Sequence, residues 1–302
     1  MVVSAVDLEC GIGSATLGMS LVDGVDVVGS HCSESSTWVV YRRNWGKGVP
    51  LGPHRGMVAG RTQFDLAFVH RWTPNAIRFV TQCRSCRWVV STAPVPGEVC
   101  VRLEVLAPPG SQWDWASVDV DCSRYLVPQA RVQRMYIGIR DGDMDAFLVR
   151  LESVASMRPA IVRDCLPPDF GSDTYTLPPV DTSLSLSRCL YCIDYPAPHL
   201  KKTHWPLVAY KPGLTDCIQD PHAPPPVPLE LSHFMTLQGF PSEIDFPEKS
   251  RRQIVELVVE CIPPPVVTAV VHSLLAAHGL AGADRKADPK PPQTTETTAT
   301  DT

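Results

Sequence analysis

Five short apolar runs set the frame of this chain: VVSAVDL at 2–8, DVVGS at 26–30, DLAFV at 65–69, RWVVS at 87–91 and RMYIGIR at 134–140. Helix-like stretches lie between or after them at 14–23, 33–45 and 145–156. A strand repeats its side-chain pattern every two residues and a helix every 3.6, so this alternation calls for strands joined by helical crossovers. The chain is therefore read as α/β, with a doubly wound, mostly parallel, Rossmann-like sheet. From about 157 to 228 the text turns rich in Pro, Asp and Ser, and helical patterns return at 229–240, 251–262 and 265–279. The organisation expected is one α/β domain made of 1–156 and 229–280, interrupted by a loop-rich lobe at 157–228. Residues 281–302 are polar, Pro/Thr-rich and without aromatics, so they have little surface to bury and are expected to be disordered.

Composition narrows the function classes. The N-terminus, MVVSAVDLECGIG, enters an apolar strand with no basic leader. A secretory signal is not expected, and a reducing interior, cytoplasm or nucleus, is the expected compartment. The eleven cysteines are then mostly free thiols. No continuous apolar run reaches the roughly 18 residues a membrane helix needs, so no membrane partner is expected. A formal charge of -5 argues against a surface that is basic all over, and any nucleic-acid binding must use a local patch. Cys83-x-x-Cys86, expected on the helix between the third and fourth runs, and Cys189-x-x-Cys192 have the spacing of zinc ligands, but they fall in different lobes and no metal site is expected.

DLECGIGSATLG at 7–18 is a strand end running through a glycine turn into a helix. Gly11 and Gly13 would let backbone approach a nucleotide-like ligand, although an ordinary strand-to-helix turn has the same look. A second segment makes the reading specific. LELSHFMTLQGFPSEIDFPEK at 229–249 and the helical text after it resemble the closing motifs of the cytosine-C5 methyltransferases. The Leu-Gln-Gly-Phe-Pro segment is whole at Leu237–Pro241. Phe246-Pro247-Glu248 and Val266-Val267 resemble the branch that methylates tRNA, as do Pro128 and Arg131 of a Pro-x-x-Arg-x-Arg segment and Tyr41 and Asn44 of a Tyr-x-x-Asn.

The resemblance implies S-adenosylmethionine as cofactor and a cysteine thiolate that attacks C6 of a flipped-out cytosine, with a glutamate at N3. The family's Pro-Pro-Cys-Gln falls on Arg71-Trp72-Thr73-Pro74, and its Glu-Asn-Val on Thr92-Ala93-Pro94. Thr73 thus stands for the nucleophile and Thr92 for the acid. Thr73 would need a base, and the only one the sequence offers nearby is His70, which is read instead as a surface loop histidine. The cofactor positions are kept in part: Asp7, Gly11, Ile12 and Gly13 remain, but the aromatic before the turn is Glu9 and the ribose acid is Cys32, with Glu34 two residues on. The family's Gly-Asn in the last motif is Val259-Glu260. S-adenosylmethionine is therefore expected to bind weakly or not at all. In the lobe, Lys201, Lys202, Trp205 and Tyr210 match or neighbour the target-recognition segment and could form a basic, aromatic RNA surface, or be a solvated charge pair beside core aromatics. The reading is a catalytically inactive relative that binds tRNA, another nucleic acid or a protein partner. The alternative is an active S-adenosylmethionine-dependent tRNA (cytosine-5) methyltransferase with rearranged catalytic residues.

Overall fold

The computed structural model describes residues 2–45, 63–165, 190–192, 197–198, 208–210, 227–228 and 230–280. The first half alternates strand and helix: β1 Val3–Leu8, α1 Ser14–Ser20, β2 Val25–His31, α2 Ser35–Trp45, β3 Leu66–Val69, α3 Pro74–Val80, β4 Trp88–Ser91 and α4 Gly97–Leu106. Then come β5 Trp113–Asp121, β6 Gln129–Ala130, β7 Val132–Arg140 and α5 Met144–Val154. Of the lobe, four short strands are described: β8 Leu190–Cys192, β9 Ala197–Pro198, β10 Val208–Tyr210 and β11 Val227–Pro228. The chain closes with α6 Leu231–Leu237, α7 Arg251–Glu260 and α8 Pro264–Ala277.

The central sheet has the order β2-β1-β3-β4-β7-β5. The first four strands pair in parallel, and β7 runs antiparallel to both β4 and β5. Five of the six strands thus point one way, as the mostly parallel reading expects. Period-two alternation sorts the side chains to two faces. Val3, Ala5, Leu66, Phe68, Trp88 and Ile137 enter one core with α1, α5 and α8, while Val6, Leu8, Ala67, Val89, Val99 and Leu103 enter the other with α3 and α4. Each large apolar side chain buried this way stabilises by about 1.5–3 kcal/mol. The chain order departs to both sides of β1, so the crevice for a ligand lies beyond the carboxyl ends of β1 and β3.

β5 and α4, with the short strands β6 and β8 to β11, go beyond the elements read from sequence, and one expectation needs correction. Cys83 and Cys86 do not lie on a helix between β3 and β4, because α3 ends at Val80 and both cysteines sit in the turn after it. Arg251–Ala277, taken whole, is long and apolar enough to cross a membrane, with a mean hydropathy of 1.9. A search for continuous apolar runs overlooks it because Glu256, Glu260 and three prolines interrupt it. It is two helices, and most of it is packed into the core.

Candidate ligand crevice at the carboxyl ends of β1, β2 and β3

β1 ends in a turn that is held rather than open. Asp7 is fully buried, and its Oδ2 accepts from the Thr16 amide at 2.9 Å and the Thr16 hydroxyl at 2.7 Å, which fixes α1 to the strand. Its Oδ1 faces His70 Nε2 at 3.3 Å, within ion-pairing reach but not aligned for a hydrogen bond. Glu9 adopts a left-handed conformation, φ 57°, which is uncommon for a residue with a side chain. Only 7% of its side chain is exposed. Oε2 accepts from the Ser33 amide at 3.0 Å and the Ser33 hydroxyl at 2.6 Å, and Oε1 accepts from the Thr73 hydroxyl at 2.8 Å. His31 Nδ1 lies 3.3 Å from Oε1, again off the line of a good hydrogen bond. Burial works to raise the Glu9 pKa, but the contacts from His31, Ser33 and Thr73 outweigh it and hold the carboxyl down to about 2.

That network settles the environment of Thr73. It is the N-cap of α3, where its oxygen accepts from the Ala76 amide at 3.2 Å while its own proton goes to Glu9. The nearby base read from sequence, His70, instead faces Asp7. Sequence reasoning missed Glu9 because the partner lies far back in the chain and meets Thr73 only after β1 and β3 pair. Thr92 is likewise tied, donating from its hydroxyl to the His70 carbonyl at 3.0 Å and joining the ends of β3 and β4.

The cofactor positions are mixed. A side chain at Gly11 would meet nothing within 4 Å. At Gly13, φ 92°, a Cβ would lie 2.2 Å from Trp45 Nε1 and 3.0 Å from Tyr41, so the chain's own rings occupy the space its missing side chain leaves. Trp45 Nε1 donates to the Ile12 carbonyl at 2.9 Å. Glu34 is exposed, and its carboxylate accepts from the Ser36 hydroxyl at 2.7 Å. Cys32 and Val259 are buried. Among these positions Gly11 leaves open space and Glu34 is exposed, whereas the space beside Gly13 is filled by Trp45 and Tyr41.

Residues retained from the resemblance bind the chain to itself. Arg131 is buried and donates to the carbonyls of Cys261 at 2.9 Å and Val259 at 3.4 Å, capping the end of α7, and to Gln133 Oε1 at 2.9 Å. Gln129 Nε2 donates to the Leu237 carbonyl at 2.7 Å and to Gln238 Oε1 at 2.9 Å. Gly239 has φ 75°, and a Cβ there would sit 2.5 Å from the Pro265 ring, so glycine is required both by conformation and by space. Asn44 donates to the Asp245 carbonyl at 2.8 Å and accepts from the Asp245 amide at 2.9 Å. The Tyr41 hydroxyl meets Thr16 Oγ1 at 3.0 Å. Lys201, Lys202 and Trp205 lie outside the described residues, and Tyr210 ends β10. Cys83 Sγ donates to the Phe64 carbonyl and Cys86 Sγ to the Trp88 carbonyl, and no group of metal-ligating side chains occurs among the described residues; Cys189 lies outside them.

Neither protein-family models nor curated proteins give a match to this chain. Solved structures do. An S. pombe Dnmt2 methyltransferase is similar over 91% of this chain and 98% of its own, with TM-score 0.64 and 11% identity. A triple mutant of Spodoptera frugiperda DNMT2 matches with TM-score 0.61 and 11% identity, covering 90% of this chain and 99% of its own. A putative E. coli prophage DNA modification methyltransferase matches with TM-score 0.62 and 13% identity, covering 92% and 99%. The chain has the α/β fold of these methyltransferases, and the resemblance read from its sequence is borne out at the level of fold.

Proposed function

We propose that the chain is a non-catalytic relative of the cytosine-C5 methyltransferases, nearest the tRNA branch, and that it acts by binding RNA. The observation that carries this reading is the double engagement of Thr73: its proton is held by a carboxylate and its oxygen by a helix amide. A carboxylate held near 2 is a weak base, so Glu9 cannot make this hydroxyl an activated nucleophile. The pattern of loss agrees. Retained motif residues tie α2, α6 and α7 to the sheet and its loops, whereas Glu9, Thr73 and Thr92, where the family's pattern is lost, cluster at the carboxyl ends of β1, β3 and β4. S-adenosylmethionine binding is read as weak or lost, since Trp45 and Tyr41 fill the space at Gly13 and Cys32 stands for the ribose acid. For RNA the support is the sequence pattern of Lys201, Lys202, Trp205 and Tyr210, a local basic and aromatic patch in a chain of net charge -5.

Titration calorimetry tests both halves. S-adenosylmethionine is expected to bind no more tightly than about 1 mM, which corresponds to ~4 kcal/mol. A tRNA anticodon stem-loop is expected to bind with an affinity that falls with salt, and a Lys201→Ala/Lys202→Ala double change should weaken it and flatten that slope, since each neutralised phosphate releases counterions. Micromolar S-adenosylmethionine binding would sink the first half. A folded protein that ignores the stem-loop at low salt would sink the second and leave a protein partner as the better reading.

A further inference from the structure

The position that the resemblance assigns to a ribose-binding acid carries a thiol, and that thiol has a neighbour. β1 and β2 are parallel, with Leu8 paired to His31 at their ends, and just beyond them the Cys10 amide donates to the His31 carbonyl at 3.0 Å. Cys10 and Cys32 therefore sit side by side at the carboxyl ends of adjacent strands. Both side chains enter one small cluster with Trp38 and Tyr41. Cys32 Sγ also lies 3.0 Å from Thr37 Oγ1 and 3.5 Å from the Glu34 carbonyl, at the start of α2.

We propose that Cys10 and Cys32 form a redox-active dithiol, a modification site that closes to a disulfide when the protein meets a hydroperoxide. The two thiols are unequal, as such a pair requires. Contact with the Cys10 thiol, with help from Thr37, holds the Cys32 thiol down to about 6 against burial, whereas burial and that same contact push Cys10 well up. Cys32 is thus the attacking thiolate and Cys10 the resolving thiol. In the first step the Cys32 sulfur attacks one peroxide oxygen, the O–O bond breaks, and Cys32 becomes a sulfenic acid as hydroxide leaves. In the second step the Cys10 sulfur attacks the Cys32 sulfur, the S–S bond forms, and the sulfenic hydroxyl leaves as water with the Cys10 proton. Two thiols lose two electrons and one hydrogen peroxide becomes two waters. Both thiols are buried, Cys32 2% exposed, and the side of the neighbouring Gly11, where a Cβ would meet nothing within 4 Å, is the approach the proposal assigns to a small oxidant.

Cys83 and Cys86 provide the internal comparison, since they share a core cluster but each donates to its own carbonyl, Phe64 and Trp88. The test is hydrogen peroxide on the folded wild-type protein, followed by blocking of free thiols and peptide mapping. The expected result is a cross-linked peptide pair joining Cys10 to Cys32, reversed by dithiothreitol, with Cys83 and Cys86 still reduced. Before oxidation, Cys32 should alkylate with iodoacetamide at least about tenfold faster than Cys10 at neutral pH. Cys32→Ser should abolish the cross-link and leave Cys10 reduced. Absence of the 10–32 pair from wild type, while circular dichroism reports it folded and other thiols have oxidised, would overturn the proposal, and so would faster alkylation at Cys10. Wild-type mapping keeps the test decisive even if the serine variant does not fold.

Discussion

Arg131→Ala is expected to lower the stability of the fold by about 3 kcal/mol or more, a larger loss than any other single polar substitution among the retained motif residues should produce. The guanidinium is buried and donates to two carbonyls at the end of α7 and to Gln133. Truncation would leave buried carbonyls at Val259 and Cys261 without donors, at about 1–3 kcal/mol each, and add a cavity. It would also remove a cation from a helix C-terminus, where the macrodipole favours one. The melting temperature should fall by roughly 6 °C or more in a chain of this size. Arg131→Lys should recover part of the loss, because an ammonium can reach one carbonyl but not span the set. A melt indistinguishable from wild type would show that α7 does not depend on this cap, and would return Arg131 to a role in ligand binding.

Glu9→Gln should carry a pH signature. In the folded protein the carboxyl is held from an ordinary 4.5 down to about 2, chiefly by His31, Ser33 and Thr73 against the opposing effect of burial. Because the folded pKa is depressed, the stabilisation is fully present above about 4.5 and is lost as pH falls through about 2. At neutral pH it is on the order of 3 kcal/mol, and it also offsets a left-handed backbone that costs about 1–3 kcal/mol. Urea melts of wild type and Glu9→Gln should therefore differ most at pH 6–7 and converge toward pH 2. A difference that stays constant across that range would mean that Glu9 contributes through shape and not through its charge.

The sheet was legible because its buried strands are short apolar runs, and β1, β2, β3, β4 and β7 fall within a few residues of the sequence reading. The missed elements have physical reasons. β5, WDWASVDVD, is half exposed and carries three aspartates, so only its weak alternation marks it. In α4, GEVCVRLEVL, valine and leucine alternate as in a strand, yet the buried pair is Val99 and Leu103, one helical turn apart, while Val101 and Val105 face solvent. At the site, the family resemblance could name Thr73 but not its partner. The nearest base in sequence was His70, and the fold brought Glu9 instead because three strand ends converge. Arg131 was legible as a retained residue, but its use as a helix cap required the position of α7.

Covalent trapping on an anticodon stem-loop containing 5-fluorocytosine, with S-adenosylmethionine present, tests most directly the claim that the cytosine chemistry is gone. Loss of an enzyme's nucleophile costs on the order of a millionfold in rate, so wild type should give no adduct that survives denaturation. Thr73→Cys should give none either, because Thr92, Cys32 and Val259 stay unchanged. A denaturation-resistant adduct from the wild-type protein, mapped to Thr73 or to any cysteine, would contradict the account.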